Sequence, residues 1–223
     1  MTPFRFRAVV AAALLVLATA LPAAAQLPVP PGWRWVLDGA AVVSSATDKI
    51  TDSTVGFARM PPGFHMTTGP GAIFYDPRFF GERQFTLEAQ IFHFPNSRGA
   101  EYGLFIGGQE LEGGAPRYVA FVLRGDGSVA AWEQRGEARR VLAEWRRADA
   151  VAPGAKDNVV GNLVRLVVSP KEAVLRVNRL DALVVPLEGV ATNGHVGFRV
   201  GAGMNLHAST LDLTNRLAPA RGE

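Results

Sequence analysis

Gln84-Phe85-Thr86-Leu87-Glu88-Ala89-Gln90-Ile91-Phe92-His93 decides the fold. Successive side chains of an extended chain point to opposite faces, so Phe85, Leu87, Ala89 and Ile91 share one side while Gln84, Thr86, Glu88 and Gln90 share the other. One face is therefore core and the other is wet. The same grammar extends in both directions. Strand candidates span 55–59, 64–67, 72–75, 102–106, 117–124, 128–133, 141–145, 163–168, 173–178, 182–187, 196–200 and 206–213, broken by Gly, Pro, Asn and Asp. Gly125-Asp126-Gly127 can adopt the positive φ values that close a tight hairpin, and Asn178-Arg179-Leu180-Asp181 can close another. The only helix-like stretch, 133–149, carries Gly136 and the β-branched Val141 and reads as strand and loop. A dozen short, half-buried strands without crossover helices predict an all-β fold, a jelly-roll β-sandwich of two antiparallel sheets. A closed barrel is the rival, since it too buries alternate residues of every strand.

The first 25 of the 223 residues stand apart from this pattern. Arg5 and Arg7 precede an apolar run from Ala8 to Leu21, and Ala23-Ala24-Ala25 supplies small residues for cleavage before Gln26. A retained membrane anchor is the alternative, but Pro22 and the Ala-rich boundary favour a signal peptide, and no later apolar run is as long. The expected organisation is a signal peptide at 1–25, an extended lead-in at 26–32, a single β-sandwich domain at 33–217 and a C-terminal tail at 218–223. The expected location is periplasmic or extracellular, with no membrane span after cleavage. Removing Arg5 and Arg7 leaves 21 basic against 20 acidic side chains, a net charge near +1. The arginines are scattered among acids, which argues against a nucleic-acid partner. With no cysteine, disulfides, thiolate metal sites and cysteine nucleophiles are excluded.

Four stretches carry a family resemblance. They are Asn162-Leu163-Val164-Arg165-Leu166-Val167-Val168, Val174-Leu175-Arg176-Val177-Asn178, Gly194-His195-Val196-Gly197-Phe198-Arg199-Val200 and Leu211-Asp212-Leu213. Together they resemble the concanavalin A-like lectin/glucanase superfamily, in its laminin-G-like and glycosidase-related bacterial branch. Gln84 to Ala89 and Tyr102 to Ile106 are similar to that family's early strands. The resemblance implies a scaffold shared by lectins, hydrolases and adhesive modules, so fold alone assigns no activity. The glucanase strand of the type Glu-x-Asp-x-x-Glu has no counterpart, because Gln90 stands where the second acid would be. A related bacterial group that cleaves 3-keto-glycosides is similar in export, length and strand grammar. Its Gly-Lys-Asp-Leu-x-x-Trp opening is only partly echoed by Trp33-Arg34-Trp35-Val36-Leu37-Asp38-Gly39.

Glycoside hydrolysis needs two carboxylates on one face. Glu88 and Glu133 are the candidate acids, and a solvated sheet face is the simpler explanation of both. His65, His93, His195 and His207 are scattered singly, without metal-ligand spacing, so no metal site and no cofactor are expected. Calcium is the one ion with candidate ligands, Asp76, Asp126 and Asp181, and turn stabilisation accounts for these better. No Gly-x-Ser-x-Gly elbow occurs, and Arg124-Gly125-Asp126 falls at a hairpin tip. Sugars present apolar C–H faces that stack on aromatic rings while polar neighbours bond the hydroxyls. Tyr118 lies on a strand whose hairpin mate carries Trp132, and Glu88 and Gln90 are expected on a neighbouring open face. His65 sits in the distinctive Gly-, Pro- and aromatic-rich segment 64–77, expected to form a shaped turn at a sheet edge. The leading expectation is an exported, non-catalytic module that binds carbohydrate or another cell-envelope ligand through Glu88, Gln90, Tyr118, Trp132 and His65. An enzyme acting on modified (3-keto) glycosides and a structural or adhesive module are the alternatives.

Overall fold

The structure is a computed structural model in which residues 29–95, 97, 101–154 and 157–216 are described. The expected signal peptide and C-terminal tail lie outside the described residues. Among the described residues no helix is long and apolar enough to cross a membrane.

Sixteen strands form two sheets among the described residues. One sheet has seven strands in the order β1 (Arg34–Leu37), β5 (Ala72–Gly81), β14 (Gly194–Val200), β7 (Tyr102–Gln109), β8 (Arg117–Leu123), β9 (Ser128–Arg135) and β10 (Ala138–Arg147). The other runs β13 (Leu180–Pro186), β12 (Glu172–Val177), β11 (Val160–Val168), β6 (Phe85–His93), β15 (Asn205–Ala208), β4 (Phe64–Thr68), β3 (Thr54–Arg59) and β2 (Val42–Ser44), with β16 (Asp212–Asn215) also paired to β6. The all-β jelly-roll sandwich is thus the observed fold, with one departure: β2 pairs with β3 in parallel. Nine residues separate these two strands, too many for a tight hairpin, and the intervening loop brings β2 alongside β3 in the same direction.

The anticipated alternation of β6 is exact in its burial: Phe85, Leu87, Ala89, Ile91 and His93 are buried while the residues between them are partly exposed. Its whole length pairs with β11, and β16 and β15 share its other edge. Phe85, Leu87, Leu166, Leu175 and Leu206 from this sheet meet Phe74, Leu104, Phe121 and Phe198 from the other in one inter-sheet core. Trp33 closes one end, stacked on Phe198 at 5.9 Å between ring centroids. The hairpins follow the turn chemistry. Asp126 accepts a bond from the Ser128 amide at 2.8 Å between β8 and β9, with Gly127 at φ 88°. Asn178 and Arg179 at φ 50° and 73° join β12 to β13.

Two expectations are corrected. Segment 64–77 is not a shaped edge turn: it holds β4 in one sheet and the start of β5 in the other, joined by a short crossing. Strand β5 also continues through Pro77. The proline is tolerated because β1 covers only Ala72 to Tyr75 and the β14 pairing skips from Tyr75 to Phe80, so no ladder bond is lost at Pro77.

Candidate functional site

A second hydrophobic cluster covers the face of the seven-stranded sheet turned away from the core. Ile73 and Tyr75 of β5, Phe105 of β7, Tyr118, Ala120 and Val122 of β8 and Ala130 and Trp132 of β9 belong to it. Each alternates with a residue of the inter-sheet core, as a strand buried on both faces requires.

Charged groups are set into this apolar layer. On β14, Val196, Phe198 and Val200 face the core, so Arg199 faces outward, yet it is only 2% exposed. Its guanidinium forks onto Asp38: Nη1 donates to Oδ1 at 2.7 Å and Nη2 to Oδ2 at 2.5 Å. Nη2 and Nε also approach Glu101 Oε1, at 3.3 and 3.4 Å. Burial opposes the charge on Arg199, but the Asp38 bonds and the nearby carboxylates win and hold its pKa above the ordinary value. Asp38 is held in place by its backbone amide, which donates to the Gly71 carbonyl at 2.8 Å. Gly71 leaves room for it, since a Cβ there would lie 2.3 Å from Asp38 Oδ2.

Arg139 of β10 completes the group. It lies 3.6 Å above the Trp132 ring, with Nη2 3.7 Å from Glu101. Trp132 meets Tyr118 edge to face at 5.5 Å. Burial pushes the Tyr118 hydroxyl up to about 12, with the Arg199 charge working the other way, so it remains a donor at neutral pH. The Trp132 Nε1–H is buried without a hydrogen-bond partner. That is a costly condition unless a water or a ligand supplies the acceptor. Above these residues opens a cleft of about 650 Å³ lined by Asp38, Tyr118, Gln134 and Arg139 among others. Its chemistry is the Tyr118 ring with Asp38, Gln134 and Arg139 around it, groups able to donate or accept at a hydroxyl. Asp38 and Glu101 touch the same Nη2 nitrogen, which engages an oxygen of each.

The residues singled out in the sequence are divided between the two sheets. Tyr118 and Trp132 come together as expected. Glu88 and Gln90 lie on β6, in the other sheet, on its exposed side, and do not join them. The expectation of one shared open face fails because β6 pairs with β11, β15 and β16 and never with β8 or β9. Glu88 binds Arg165 at 2.5 Å beside a smaller cleft of about 360 Å³, lined also by Leu163, Arg176 and Arg179 and free of aromatic rings. His65 on β4 is also in that sheet, buried, with Nε2 donating to Asn205 Oδ1 at 2.8 Å. Glu133 follows Trp132 and so points to the opposite side of β9, where Arg135 and Arg140 hold it at 2.8 and 2.7 Å. Asp76 is bound by Arg78, Asp126 by Ser128 and Asp181 by Arg176. Among the described residues no three His, Cys, Asp or Glu side chains are placed to hold a metal ion.

Asp38, Glu101, Arg139 and Arg199 were not singled out in the sequence. The available signal was Arg199 itself: an ionised side chain in Val196-Gly197-Phe198-Arg199-Val200, a run otherwise apolar on both faces, requires buried counter-charges.

No family model matches the chain, and no curated protein matches it by sequence. Solved structures share the fold. The carbohydrate binding module CBM66 from Bacillus subtilis matches with a TM-score of 0.59 at 11% identity, over 82% of this chain and 94% of that one. The exoplasmic/lumenal domain of VIP36, in its Ca2+/Man3GlcNAc-bound form, matches with a TM-score of 0.56 at 10% identity, over 87% and 90%. A Bacteroides ovatus GH16 protein in complex with a G4G4G3G product matches at 0.54 and 9% identity, over 82% and 94%. These likenesses show the β-sandwich fold and no family.

Proposed function

We propose that the protein is an exported, non-catalytic β-sandwich that binds carbohydrate on the outer face of its seven-stranded sheet. The observation that carries this reading is the Arg199–Asp38–Glu101 network, whose Asp38 lines an open cleft with Tyr118 and Arg139, beside Trp132, whose indole N–H lacks a partner. A sugar hydroxyl both donates and accepts, and a sugar ring offers C–H groups to Tyr118. The fold is compatible with this role, since one structural neighbour is a carbohydrate binding module and another carries a bound glycan. Periplasmic or extracellular location follows from the signal-like sequence at 1–25. Glu88, Gln90 and His65, on the other sheet, play no part in this site.

An enzyme acting on modified glycosides is the second reading, favoured by Asp38 and Glu101 meeting at one nitrogen. Against it, Arg199 engages both carboxylates, and a glycosidase needs one carboxyl to present a proton to the leaving oxygen.

A glycan array followed by calorimetry tests the binding reading. Trp132→Phe keeps a ring and removes the N–H, and losing one neutral hydrogen bond of about 0.5–1.5 kcal/mol should weaken binding about 2- to 12-fold. Asp38→Ala should weaken it further. Retention of no polysaccharide, or identical affinity in both variants, would overturn the assignment. Incubation with 3-keto and ordinary disaccharides separates the enzymatic reading by turnover.

A further inference from the structure

A second cleft opens on the same face. It measures about 410 Å³ and is lined by Tyr75, Phe80, Gln109, Leu111, Glu112 and His195 among others. Gly113 lines both clefts. What separates them is the connection between β7 and β8, which folds back over the sheet. Leu111 inserts into the second hydrophobic cluster, Glu112 ion-pairs with Arg34 of β1, and Glu110 lies 3.9 Å from Arg117 of β8.

The cleft is built around an exposed aromatic ring. Phe80 is 40% exposed and stands edge-on to His195, with centroids 5.4 Å apart. His195 is also 5.4 Å from Tyr75, and its Nδ1 is buried without a partner. From Tyr75 the rings continue to Phe105 at 6.5 Å, Tyr118 at 5.5 Å and Trp132 at 5.5 Å, so an unbroken aromatic layer joins the two clefts. His195 and Arg199 are four residues apart on β14, about 13 Å along the strand. One sugar ring cannot reach both, whereas a short chain of them can.

Charge narrows the class of ligand. Among the described residues Arg139, which lines the first cleft, is paired with Glu101, and nearby Arg34 pairs with Glu112, Arg117 with Glu110, and Arg199 with Asp38 and Glu101. An acidic sugar would have to displace a carboxylate already in place, while a neutral sugar only adds hydroxyl bonds at the free lone pairs. We propose that the Tyr75–Phe80–His195 cleft is a second sugar subsite, so that the protein takes a neutral oligosaccharide lying across both clefts in preference to a single terminal sugar or a uronic acid. This rests on the carbohydrate reading above.

The test uses neutral gluco-, xylo-, manno- and fructo-oligosaccharides of one to six units beside uronate oligomers of the same lengths, titrated calorimetrically into the purified protein. Affinity for at least one neutral series should rise about tenfold or more between the shortest and the longest members and exceed that for the uronates. Phe80→Ala should abolish the rise while leaving affinity for the shortest binder within about twofold, and Phe80→Trp should restore it. Circular dichroism checks that both variants keep the fold. Short sugars bound equally well as long ones, an unchanged length dependence in Phe80→Ala, or a preference for uronates would overturn the second subsite and leave the first cleft standing. Binding of no oligosaccharide in any series would overturn both.

Discussion

Replacing Arg199 by Met removes the guanidinium while keeping most of the apolar stem, and leaves Asp38 and Glu101 without the charge that joins them. The Arg199 side chain is 3% exposed and that of Glu101 11%, whereas Asp38 is 40% exposed. Breaking a buried ion pair by deleting one partner costs about 3–5 kcal/mol. Water reaches Asp38 and re-solvates it, so the lower end applies, about 3 kcal/mol. For a domain of this size each kcal/mol moves Tm by about 2–4 °C, so the midpoint should fall by about 6–12 °C. Thermal melts by circular dichroism and urea titrations of wild type, Arg199→Met, Asp38→Asn and the double variant measure this. The double variant should cost less than the two single changes taken together, by about 1–3 kcal/mol, because the groups share one network. High salt should erase only part of the difference, since Arg199 and Glu101 are shielded from mobile ions while Asp38 meets water. A midpoint for Arg199→Met within 2 °C of wild type, or strict additivity, would refute a buried network at this position.

Gly71→Ala places a methyl 2.3 Å from Asp38 Oδ2, a contact that Asp38 can relieve by swinging away from Arg199. Because that swing breaks the fork onto Arg199, stability should fall by up to about 3 kcal/mol and glycan affinity about tenfold, and unaltered affinity would argue against Asp38 as a contact. Asn162 is fully buried and bonds the Tyr102 hydroxyl, both backbone polar groups of Ala152 and the Asn178 amide. Its replacement by Ala orphans several of them and should cost about 3 kcal/mol by urea denaturation; a loss under 1 kcal/mol would mean water takes its place. Burial holds His65 and His93 below the ordinary histidine value, the Asn205 bond to His65 opposing it, and protonated Nδ1 of His65 would find no acceptor. The unfolded chain then binds more protons, so stability is full above about pH 6.5 and declines as pH falls toward the lowered native values. His93→Gln should flatten that decline, and urea midpoints flat from about pH 8 to pH 5 would contradict it. The Arg78 bond holds Asp76 below the usual carboxylate range, so its contribution persists above about pH 4 and is lost only as pH falls through the native value. Asp76→Asn should remove that lower acid step from the stability profile.

Local pattern carried far in this chain, and where it stopped has physical causes. Alternation located β6, β11 and β12, and in β6 the buried side, because one face of these strands meets the core and the other meets water. Turn chemistry located the β8–β9 and β12–β13 hairpins through residues able to adopt positive φ. The hairpin alone was enough to bring Tyr118 and Trp132 together, since they are separated by one tight turn. Strand order across the sheets was not legible: β14 lies between β5 and β7, contacts that join segments about a hundred residues apart. The Arg199 network depends on that order, because Asp38, Glu101 and Arg199 come from three separate regions of the chain. Strands β1 and β2 are only four and three residues long and too short to show a period.

The contrast between alternating and continuous apolar runs also bears on which sheet carries the proposed site. Strand β6 alternates, and its polar face holds Glu88 and Gln90 in partial contact with water, where a carboxylate is satisfied by solvent and by one arginine. Tyr118 to Leu123 and Val129 to Trp132 do not alternate; every residue in them is buried, so something must cover both faces. On one side that cover is the opposite sheet. On the other it is the folded-back β7–β8 connection, Arg139 and Trp145, and these leave clefts on either side of the connection. That outer layer is itself buried, and a buried Arg199 with two carboxylates is a poor means of stabilising it compared with apolar side chains of the same volume. The arrangement makes physical sense under the proposed function, in which a ligand held in the clefts bonds the paired charges. Function on this scaffold is accordingly sought where a strand is apolar on both faces yet retains a charge, not where an ordinary wet face presents isolated acids.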